Sequence, residues 1–350
     1  MNILGIESSC DETSVAIVRD GVHIVAQEIA SQIAVHHRFG GVVPEIAARK
    51  AMEAIIPILD QVFQEARMDF DDLEAIAVTV GPGLIGSLLV GVSVAKALAY
   101  LKHKPLIPVN HIEGHIKAIF LAYPTLEFPF IALLVSGGHT SLFAVHSHTD
   151  YEFLGGTRDD AAGEAFDKVA KILQLGYPGG PIIDRLAKTA NPAAVKFPRA
   201  YLEKDSFDFS FSGLKTAVLN HVRSRQGSLV LPEAGSPHDE VSPEVRNIAA
   251  SFQEAVVDIL VTKAVRACRI KGIEQLVLVG GVACNSCLRT RAEHSAQKLN
   301  LRLFYPPPLL CTDNAAMIAS AGFFRKMAGN FIEGKEIFPL NAVSSLPLGS

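Results

Sequence analysis

Two stretches of this chain repeat the same succession of short apolar strands and polar turns, and no other feature restricts its possible folds as much. The first copy consists of strand 3–6, a polar turn at 7–13, and strands 14–18 and 22–29. The second copy consists of strand 131–135, a glycine turn at 136–139, and strands 140–145 and 151–154. A duplicated strand unit predicts two related lobes facing a cleft, and the helices between the strands place both lobes in the α/β class.

Helices and further strands fill the rest of the chain. Apolar runs predict buried strands at 75–80, 106–109 and 276–279. Helices are predicted from 44, at 84–101, 160–173 and 182–190, from about 210, at 243–271 and 285–298, and from 313. We assign residues 1–110 and about 315–341 to a first lobe, and residues 111–314 to a second lobe with helical insertions. Residues 226–242 are expected to form a flexible loop, and residues 342–350 a loose tail.

Composition narrows the class of protein. Of the 350 residues 49% are hydrophobic, which is ample for two lobes with their own cores. The first residues do not form a signal peptide, and five cysteines, an odd number, fit a reduced cytosolic protein. The uncharged run 75–95 contains Gly81-Pro82-Gly83 in its middle, so we expect a strand, a tight turn and a helix there and no membrane span.

The charge balance bears on nucleic-acid binding. With a net charge of −4, the chain must use a local basic patch for any such contact. A candidate patch, which could equally be scattered solvated charge, consists of Arg185, Lys188, Lys196, Arg199, Lys215, Arg223 and Arg225.

Residues 110–115 follow a short apolar strand and carry two histidines. If a helix begins there, His111 and His115 lie four residues apart on one face, where they can share a metal ion. A third ligand must come from elsewhere, and the best candidate is Asp313, a carboxylate between an apolar run and a helix of small residues. From the pair alone, two histidines on a solvated or capped helix turn remain the alternative.

The position of Glu113 argues against a zinc protease. Such proteases carry H-E-x-x-H, with the glutamate directly after the first histidine. Here Glu113 stands two residues after His111, which turns its side chain by about 200° away from the ligand face of a helix. A helix cannot bring this carboxylate to a water on the metal.

Several turns that follow predicted strands can bind a nucleotide. Paired glycines in 136–139 let backbone N–H groups converge on an anion, although an ordinary glycine hairpin has the same pattern. The turn at 7–13 adds hydroxyls and two acids, which suit a hydrated metal or a water-bridged phosphate. The alternative is an ordinary solvated turn. The turn at 280–285 precedes a helix N-terminus, where a nucleoside can lie against bare backbone. Asp167 could accept hydrogen bonds from ribose hydroxyls, or it could be a surface acid.

Ten motifs carry a more specific signal together than any one does alone. They are ESSCDET (7–13), GGVVPE (40–45), GPGLIGSL (81–88), NHIEGH (110–115), LVSGGHT (134–140), DDAAGEAFDK (159–168), YPGGP (177–181), FSFSGLKT (209–216), GGVACN (280–285) and CTDNAAMIA (311–319). In order and spacing they resemble the bacterial TsaD (Gcp/YgjD, Kae-like) family, over residues 1 to about 329.

This resemblance implies a two-lobed actin/hexokinase/Hsp70-like (ASKHA) fold. It also implies transfer of the threonylcarbamoyl group from threonylcarbamoyl-AMP to N6 of the adenosine just 3′ of the anticodon (position 37) in tRNAs reading codons that begin with A, which forms t6A. The family acts with TsaB-like and TsaE-like proteins, and a TsaC-like enzyme supplies the adenylate. ATP or ADP binding is a further implication, and no membrane is involved.

The resemblance also assigns residues by position. His111, His115 and Asp313 match the ligands of one divalent metal per subunit, iron(II) first and zinc as the alternative. The adenylate-binding positions are matched by Leu134, Val135, Ser136, Gly137, Gly138, Asp167, Gly180, Asp184 and Asn285. Archaeal relatives place a tyrosine ligand where this chain has Leu134, which cannot coordinate, so water or substrate must complete the metal shell.

The residues themselves leave part of the chemistry open. Asp11 or Glu12 could take the proton from the attacking amine, and the sequence does not choose between them. A small-molecule kinase of the same fold, which would hydrolyse ATP rapidly with magnesium and need no tRNA, is one alternative activity. A non-catalytic nucleotide-dependent scaffold, which would tolerate loss of His111, is the other.

Overall fold

The computed structural model describes residues 1–201, 203, 205–225, 227–233 and 241–348. Two five-stranded mixed sheets with the same strand order form its framework. In each sheet three consecutive strands run antiparallel, and two later strands are added in parallel beside the first of the three. The repetition in the sequence therefore corresponds to a repeated sheet topology.

The strands lie close to their predicted positions. The first sheet has the order β3-β2-β1-β4-β5, with β1 Asn2–Glu7, β2 Glu12–Arg19, β3 His23–Ser31, β4 Ala75–Gly81 and β5 Leu106–Asn110. The second has the order β10-β9-β6-β7-β8, with β6 Phe130–Val135, β7 Thr140–Val145, β8 Tyr151–Gly156, β9 Gln275–Val279 and β10 Arg302–Phe304.

Helices cover both faces of each sheet. Those that precede the second sheet are α1 Ile33–His36, α2 Pro44–Ala66, α3 Ile85–Leu101 and α4 His111–Ala122. Those that follow its first strands are α5 Ala162–Ile172, α6 Gly179–Ala187, α7 Ser212–Ser224, α8 Pro243–Lys271, α9 Ser286–Lys298, α10 Pro308–Cys311 and α11 Ala315–Met327.

Alternation along the central strands assigns each sheet face to a different core. In β1, Leu4 and Ile6 pack with α2 and α3, whereas Ile3 packs with the alanine-rich face of α11. In β6, Leu133 packs with α5 to α8, whereas Leu134 packs with α4. Both sheets are thus sandwiched between helices, as expected for strands that are apolar on both faces.

Helices α4 and α11 approach each other closely at Gly114. A Cβ at this position would lie 2.6 Å from Ile318 Cδ1 and 3.3 Å from Met317 Cγ, so a larger residue would force these side chains to move. Because Gly114 lies between the two histidines of α4, the contact brings the start of α11 beside them.

Some predicted helix starts are displaced by one to three residues. Asp313 precedes α11 instead of beginning it, because the Asn314 side chain accepts a hydrogen bond from Met317 N and caps the helix. Asp160 likewise precedes α5. Helix α6 begins at Gly179, earlier than the predicted residue 182, with its proline inside the first turn, where no N–H is required.

The prediction of a loose tail at 342–350 differs from the structure in residues 342–348. Val343 N donates to Val80 O at 2.7 Å, and Gly83 N donates to Ser344 O at 3.2 Å. The Asn110 side chain donates to Leu346 O at 3.0 Å. The main chain of this segment therefore docks beside the ends of β4 and β5.

Two other predictions concern single segments. The predicted flexible loop 226–242 falls in part on residues 226 and 234–240, which lie outside the described residues. Among the helices that are described, none is both long and apolar enough to cross a membrane. The lobe boundaries stay a prediction.

Candidate metal centre and cleft

Three predicted metal ligands converge at the start of α4. Asn110 caps this helix, its side chain accepting from Ile112 N, which fixes His111 as the first helical residue and His115 one turn later. Asp313 Oδ1 lies 3.5 Å from His111 Nε2 and 3.1 Å from His115 Nε2. The ligand atoms of the three residues all lie within 4.8 Å of one another.

These distances are compatible with coordination of one metal ion. With bonds of about 2.1 Å, the ligand atoms of a tetrahedral centre lie roughly 3.4 Å apart. His115 is fully buried, and neither of its ring nitrogens has an aligned hydrogen bond to the described part of the chain, although Nε2 lies close to Asp313. A buried imidazole without aligned partners is costly unless an ion completes its contacts. The group is therefore consistent with a divalent metal site.

A buried acid, Glu7 at the end of β1, orients His111 from behind. Glu7 Oε2 lies 3.0 Å from His111 Nδ1 and accepts from Thr79 Oγ1 at 2.6 Å, while Ser9 Oγ lies 3.1 Å from the same ring nitrogen. These contacts occupy Nδ1 and leave Nε2 directed at Asp313. Carboxylates commonly orient metal-binding histidines in this way.

The charges of the group are strongly coupled. Burial by itself lowers the pKa of His111, but the carboxylates of Glu7 and Asp313 overcome it and raise the pKa to about 9. Burial opposes ionisation of Asp313, yet the adjacent His111 and His115 hold its pKa well below the usual range. A proton on His111 thus takes the position that a metal cation would take, so metal binding would displace it.

Glu113 faces away from the ligands, as predicted from the helical geometry. Its carboxylate accepts from Arg325 at 3.0 Å and from Tyr151 OH at 3.3 Å, on the opposite side of α4. This orientation supports the rejection of an H-E-x-x-H protease mechanism.

A cleft cavity of about 590 Å³ lies in front of the metal group. The polar turns of the two repeats line it from opposite sides, Ser9 to Asp11 from the first and Ser136 to His139 from the second, together with His111 and Asp313. Its volume lies within the usual range for small-molecule sites. The turns that the sequence analysis paired as equivalents therefore face each other across one site.

The glycine turn of the second repeat presents bare backbone to the cavity. A Cβ at Gly137 or Gly138 would meet no atom within 4 Å, so the space beside both residues is open. The turn is held from behind by α5, where Gly163 N donates to Ser136 O at 3.2 Å and Ala162 N donates to Thr140 Oγ1 at 2.9 Å. An anion could approach this backbone without side-chain interference.

Of the other predicted adenylate positions, Asp167 and Gly180 lie near this cavity. Asp167 lines it and accepts from Gly179 N at 2.7 Å, beside Gly180, where a Cβ would meet open space. Burial raises the pKa of Asp167 to about 6, although the backbone N–H of Gly179 lowers it.

The remaining positions serve the structure from outside the cavity lining. The Asn285 side chain caps α9 by accepting from Leu288 N at 2.9 Å, and Asp184 accepts from Ser286 Oγ at 2.8 Å. Leu134 and Val135 are buried in two different cores, so their side chains support the glycine turn and cannot themselves reach a ligand. Contact at these two positions would have to use main-chain atoms.

The two candidate proton acceptors differ in environment. Asp11 lines the cavity. Glu12 is the first residue of β2 and accepts from Ser31 Oγ at 3.0 Å, outside the cavity lining. Burial raises the pKa of Glu12 to about 7.

Comparison with known proteins decides the family. A family model described as "TsaD: tRNA N6-adenosine threonylcarbamoyltransferase" matches residues 23–320. A protein of that same name from Moorella thermoacetica is 52% identical over 349 residues, with 99% of this chain and 97% of the relative covered. The chain belongs to the TsaD family. It is therefore a member of a transferase family, as predicted.

Solved structures confirm the fold class of this TsaD-family chain. Component A of (R)-2-hydroxyglutaryl-CoA dehydratase from Acidaminococcus fermentans is 16% identical, with a TM-score of 0.54 over 93% of this chain and 99% of that one. Full-length HypF in a phosphate- and nucleotide-bound form is 14% identical, with a TM-score of 0.60 over 93% of this chain and 46% of HypF. These likenesses show the two-lobed ASKHA-type architecture and carry no argument about activity.

Sequence reasoning missed two residues of the candidate site, Glu7 and His139. Glu7 was treated only as part of a polar turn, although an acid directly after four apolar strand residues signals a buried carboxylate in need of a partner. His139 was treated as part of the glycine turn, but it lines the cavity with its ring 6.5 Å from that of His111. Burial lowers the pKa of His139 to about 4.

Proposed function

We propose that this TsaD-family chain transfers the threonylcarbamoyl group from threonylcarbamoyl-AMP to N6 of adenosine 37 in tRNAs that read codons beginning with A, forming t6A. One observation carries the proposal beyond family membership: His111 and Asp313 of the metal-ligand group line the same cavity as the open glycine turn, and His115 lies behind them. Such a site can hold a phosphate at one end and an acyl group at the other.

The metal site is proposed to hold iron(II) or zinc. Two imidazoles and one carboxylate suit either ion, and leave coordination positions free. The Leu134 side chain is buried in a hydrophobic core and cannot complete the shell, so water or substrate would do so. When bound, the ion would act as a Lewis acid towards the acyl oxygen. The role of Glu7 would be to hold His111 in the orientation that keeps Nε2 available.

The protein residues would bind and orient the adenylate. The backbone of Ser136, Gly137 and Gly138 would hold its phosphate, and Asp167 would accept from the ribose hydroxyls. Gly180 and the main chain at Asp184 and Asn285 would border the nucleoside. Because the adenine amine is a weak nucleophile, placement of the two reactants would provide much of the rate enhancement.

The attacking amine must lose a proton, and the geometry favours Asp11 over Glu12. Asp11 lines the cavity, whereas Glu12 lies outside its lining. A pKa of about 7 would suit Glu12 for proton transfer. Because Glu12 lies outside the cavity lining, it could receive the proton only after Asp11 has taken it from the amine.

Binding partners are proposed from family membership. tRNA would contact the basic patch in part, because Arg199 pairs with Asp258, Lys215 with Asp160 and Arg225 with Glu244. The better phosphate contacts would be the other four basic residues, Arg185, Lys188, Lys196 and Arg223. TsaB-like and TsaE-like proteins would act with the chain in the cytoplasm, where ATP or ADP binding could regulate the assembly. A TsaC-like enzyme would supply the adenylate.

The deciding experiment combines the purified chain, TsaB-like and TsaE-like proteins, threonylcarbamoyl-AMP labelled in the threonyl group, and unmodified tRNA. Label should enter only tRNAs with adenosine 37, and His115→Ala should abolish its incorporation. Absence of label with wild type under these conditions would contradict the proposal. Rapid, tRNA-independent ATP hydrolysis with magnesium would instead indicate a kinase.

A further inference from the structure

A second cavity adjoins the metal centre and has no role in the function proposed above. Its volume is about 460 Å³, and it shares Pro82 and His139 with the lining of the cleft cavity. The two cavities therefore meet beside the ring that lies 6.5 Å from His111. A ligand in the second cavity could reach the same reaction centre from a different side.

Aromatic side chains form one wall of the second cavity. Phe143 and Phe153 lie opposite each other on β7 and β8, with ring centroids 5.5 Å apart at an interplanar angle of 63°. Phe153 is 49% exposed, whereas Tyr151 and Gly155 of the same strand are buried. An exposed ring at the mouth of a cavity offers a flat surface on which a base can stack.

The C-terminal segment 345–348 forms the opposite wall. The Asn110 side chain holds it by donating to Leu346 O at 3.0 Å and to Pro347 O at 3.3 Å. Leu346 packs against the core that contains β1, whereas Leu348 packs against the core between α4 and the second sheet. The segment thus spans from one sheet to the other, and its anchor is the residue directly before His111.

We propose that this second cavity receives the adenine base of the acceptor nucleotide, turned out of the RNA and stacked on Phe153. The inference rests on the proposed function. The transfer reaction requires two substrates to meet at one centre. Because the adenylate would occupy the first cavity, the acceptor base needs a second one. Enzymes that modify a base commonly turn it out into a pocket with an aromatic or apolar wall, and the size of this cavity suits a nucleoside.

The position of the base accounts for the transfer step without a further reactant. The N6 lone pair forms the new bond to the carbamoyl carbon. The bond from that carbon to the phosphate oxygen breaks, and AMP leaves with the electron pair. The proton lost from N6 passes to a cleft carboxylate or to solvent.

The test uses the full chain, with the partner proteins that wild-type transfer requires. An anticodon stem–loop RNA carries 2-aminopurine at the acceptor position, because this base stacks as adenine does and its fluorescence reports stacking. With Phe153→Ala, transfer to normal tRNA at low concentration should fall at least tenfold and the fluorescence change should be lost. Metal content, and affinity for a non-hydrolysable adenylate analogue, should remain within twofold of wild type.

Three further variants separate stacking from structural damage. Phe153→Tyr keeps an aromatic face and should retain both signals. Phe338→Ala removes a ring with 54% exposure that packs on Tyr100, outside both cavities, and should behave as wild type. Phe153→Leu keeps an apolar side chain but removes the aromatic face, and should lose the fluorescence change even if Phe153→Ala fails to fold.

The outcomes distinguish this inference from the proposed function. Active wild type with normal transfer and fluorescence in Phe153→Ala would overturn the inference alone. A wild-type chain that modifies no tRNA would overturn both. If Phe153→Ala weakens binding of a partner protein while the RNA signal is unchanged, the cavity is a protein-docking site and the inference is wrong.

Discussion

Gly163→Ala should displace the glycine turn that faces the cleft. An added Cβ would lie 2.5 Å from Ser136 O and 2.8 Å from Gly137 Cα, whereas real Cβ atoms essentially never approach closer than 3.0 Å. Ser136 O must therefore move by at least 0.5 Å. Ser136 O also accepts the hydrogen bond from Gly163 N, so the turn cannot move away from α5 without weakening that bond.

Two opposing effects set the magnitude. Alanine is favoured over glycine in a helix by about 1 kcal/mol, while overpacking costs about 1–3 kcal/mol. We therefore expect a net loss of roughly 0–2 kcal/mol in unfolding free energy. Displacing a binding backbone by about half an ångström should cost more in function, and we expect adenylate affinity to fall roughly tenfold or more.

Gly213→Ala is a matched control. Gly213 is the second residue of α7, as Gly163 is of α5, but a Cβ there would meet no atom within 4 Å. It should leave adenylate affinity unchanged and raise stability slightly. Calorimetry with an adenylate analogue and thermal unfolding of both variants provide the comparison. Wild-type affinity in folded Gly163→Ala would refute the assignment of the turn to phosphate binding.

Three other perturbations test the rest of the site. His115→Ala and Asp313→Ala should each lose bound metal, and the double variant should lose little more, because ligands of one ion act together. Glu113→Gln should keep its metal. Metal analysis that finds metal in Asp313→Ala but none in Glu113→Gln would mean that the wrong carboxylate was chosen. The pKa of Asp167 is raised to about 6, so this residue contributes stability that is fully present below its unfolded pKa and is lost as pH rises through 6. Asp167→Asn should therefore reduce the pH dependence of the unfolding free energy between about pH 4 and 6. If the ionised carboxylate binds the ribose, the adenylate affinity of the wild type should decrease as pH drops through 6. A wild-type adenylate affinity that does not change with pH would argue against that contact. Lys196→Glu should weaken tRNA binding and reduce its salt dependence, and equal slopes in a titration at several salt concentrations would place the contact elsewhere.

Periodicity and turn chemistry predicted most of the fold. The strands of both repeats lie close to their predicted positions because apolar runs between turn residues leave few alternatives. The metal ligands could also be proposed, because His111 and His115 share a helix face. Asp313 could be joined to them only through a hypothesis about a common ion, since no local pattern links positions so far apart. The structure supplies the missing link, which is the close contact of α4 and α11 at Gly114.

Long-range contacts explain what the sequence could not provide. Asn285 and Asp184 are assigned to the adenylate by the family resemblance, and their structural role of capping or bracing α9 has no signal in the sequence. The tail was predicted to be loose because it is a chain terminus, yet Asn110 holds it through the backbone carbonyls of Leu346 and Pro347. Main-chain hydrogen bonds of this kind leave no periodic signal in the sequence.

The duplicated fold explains why one cleft can combine two kinds of chemistry. The turns after β1 and β6 occupy equivalent places in the two sheets and therefore face each other across the cavity. The first turn is preceded by Glu7, whose carboxylate orients a metal-site histidine. The second turn contains Gly137 and Gly138, which leave its backbone open. Because the two turns belong to separate sheets, side chains in one could change without altering the backbone of the other. Two copies of the same strand unit thus provide two opposed surfaces, of which one is suited to orienting a cationic centre and the other to receiving an anion.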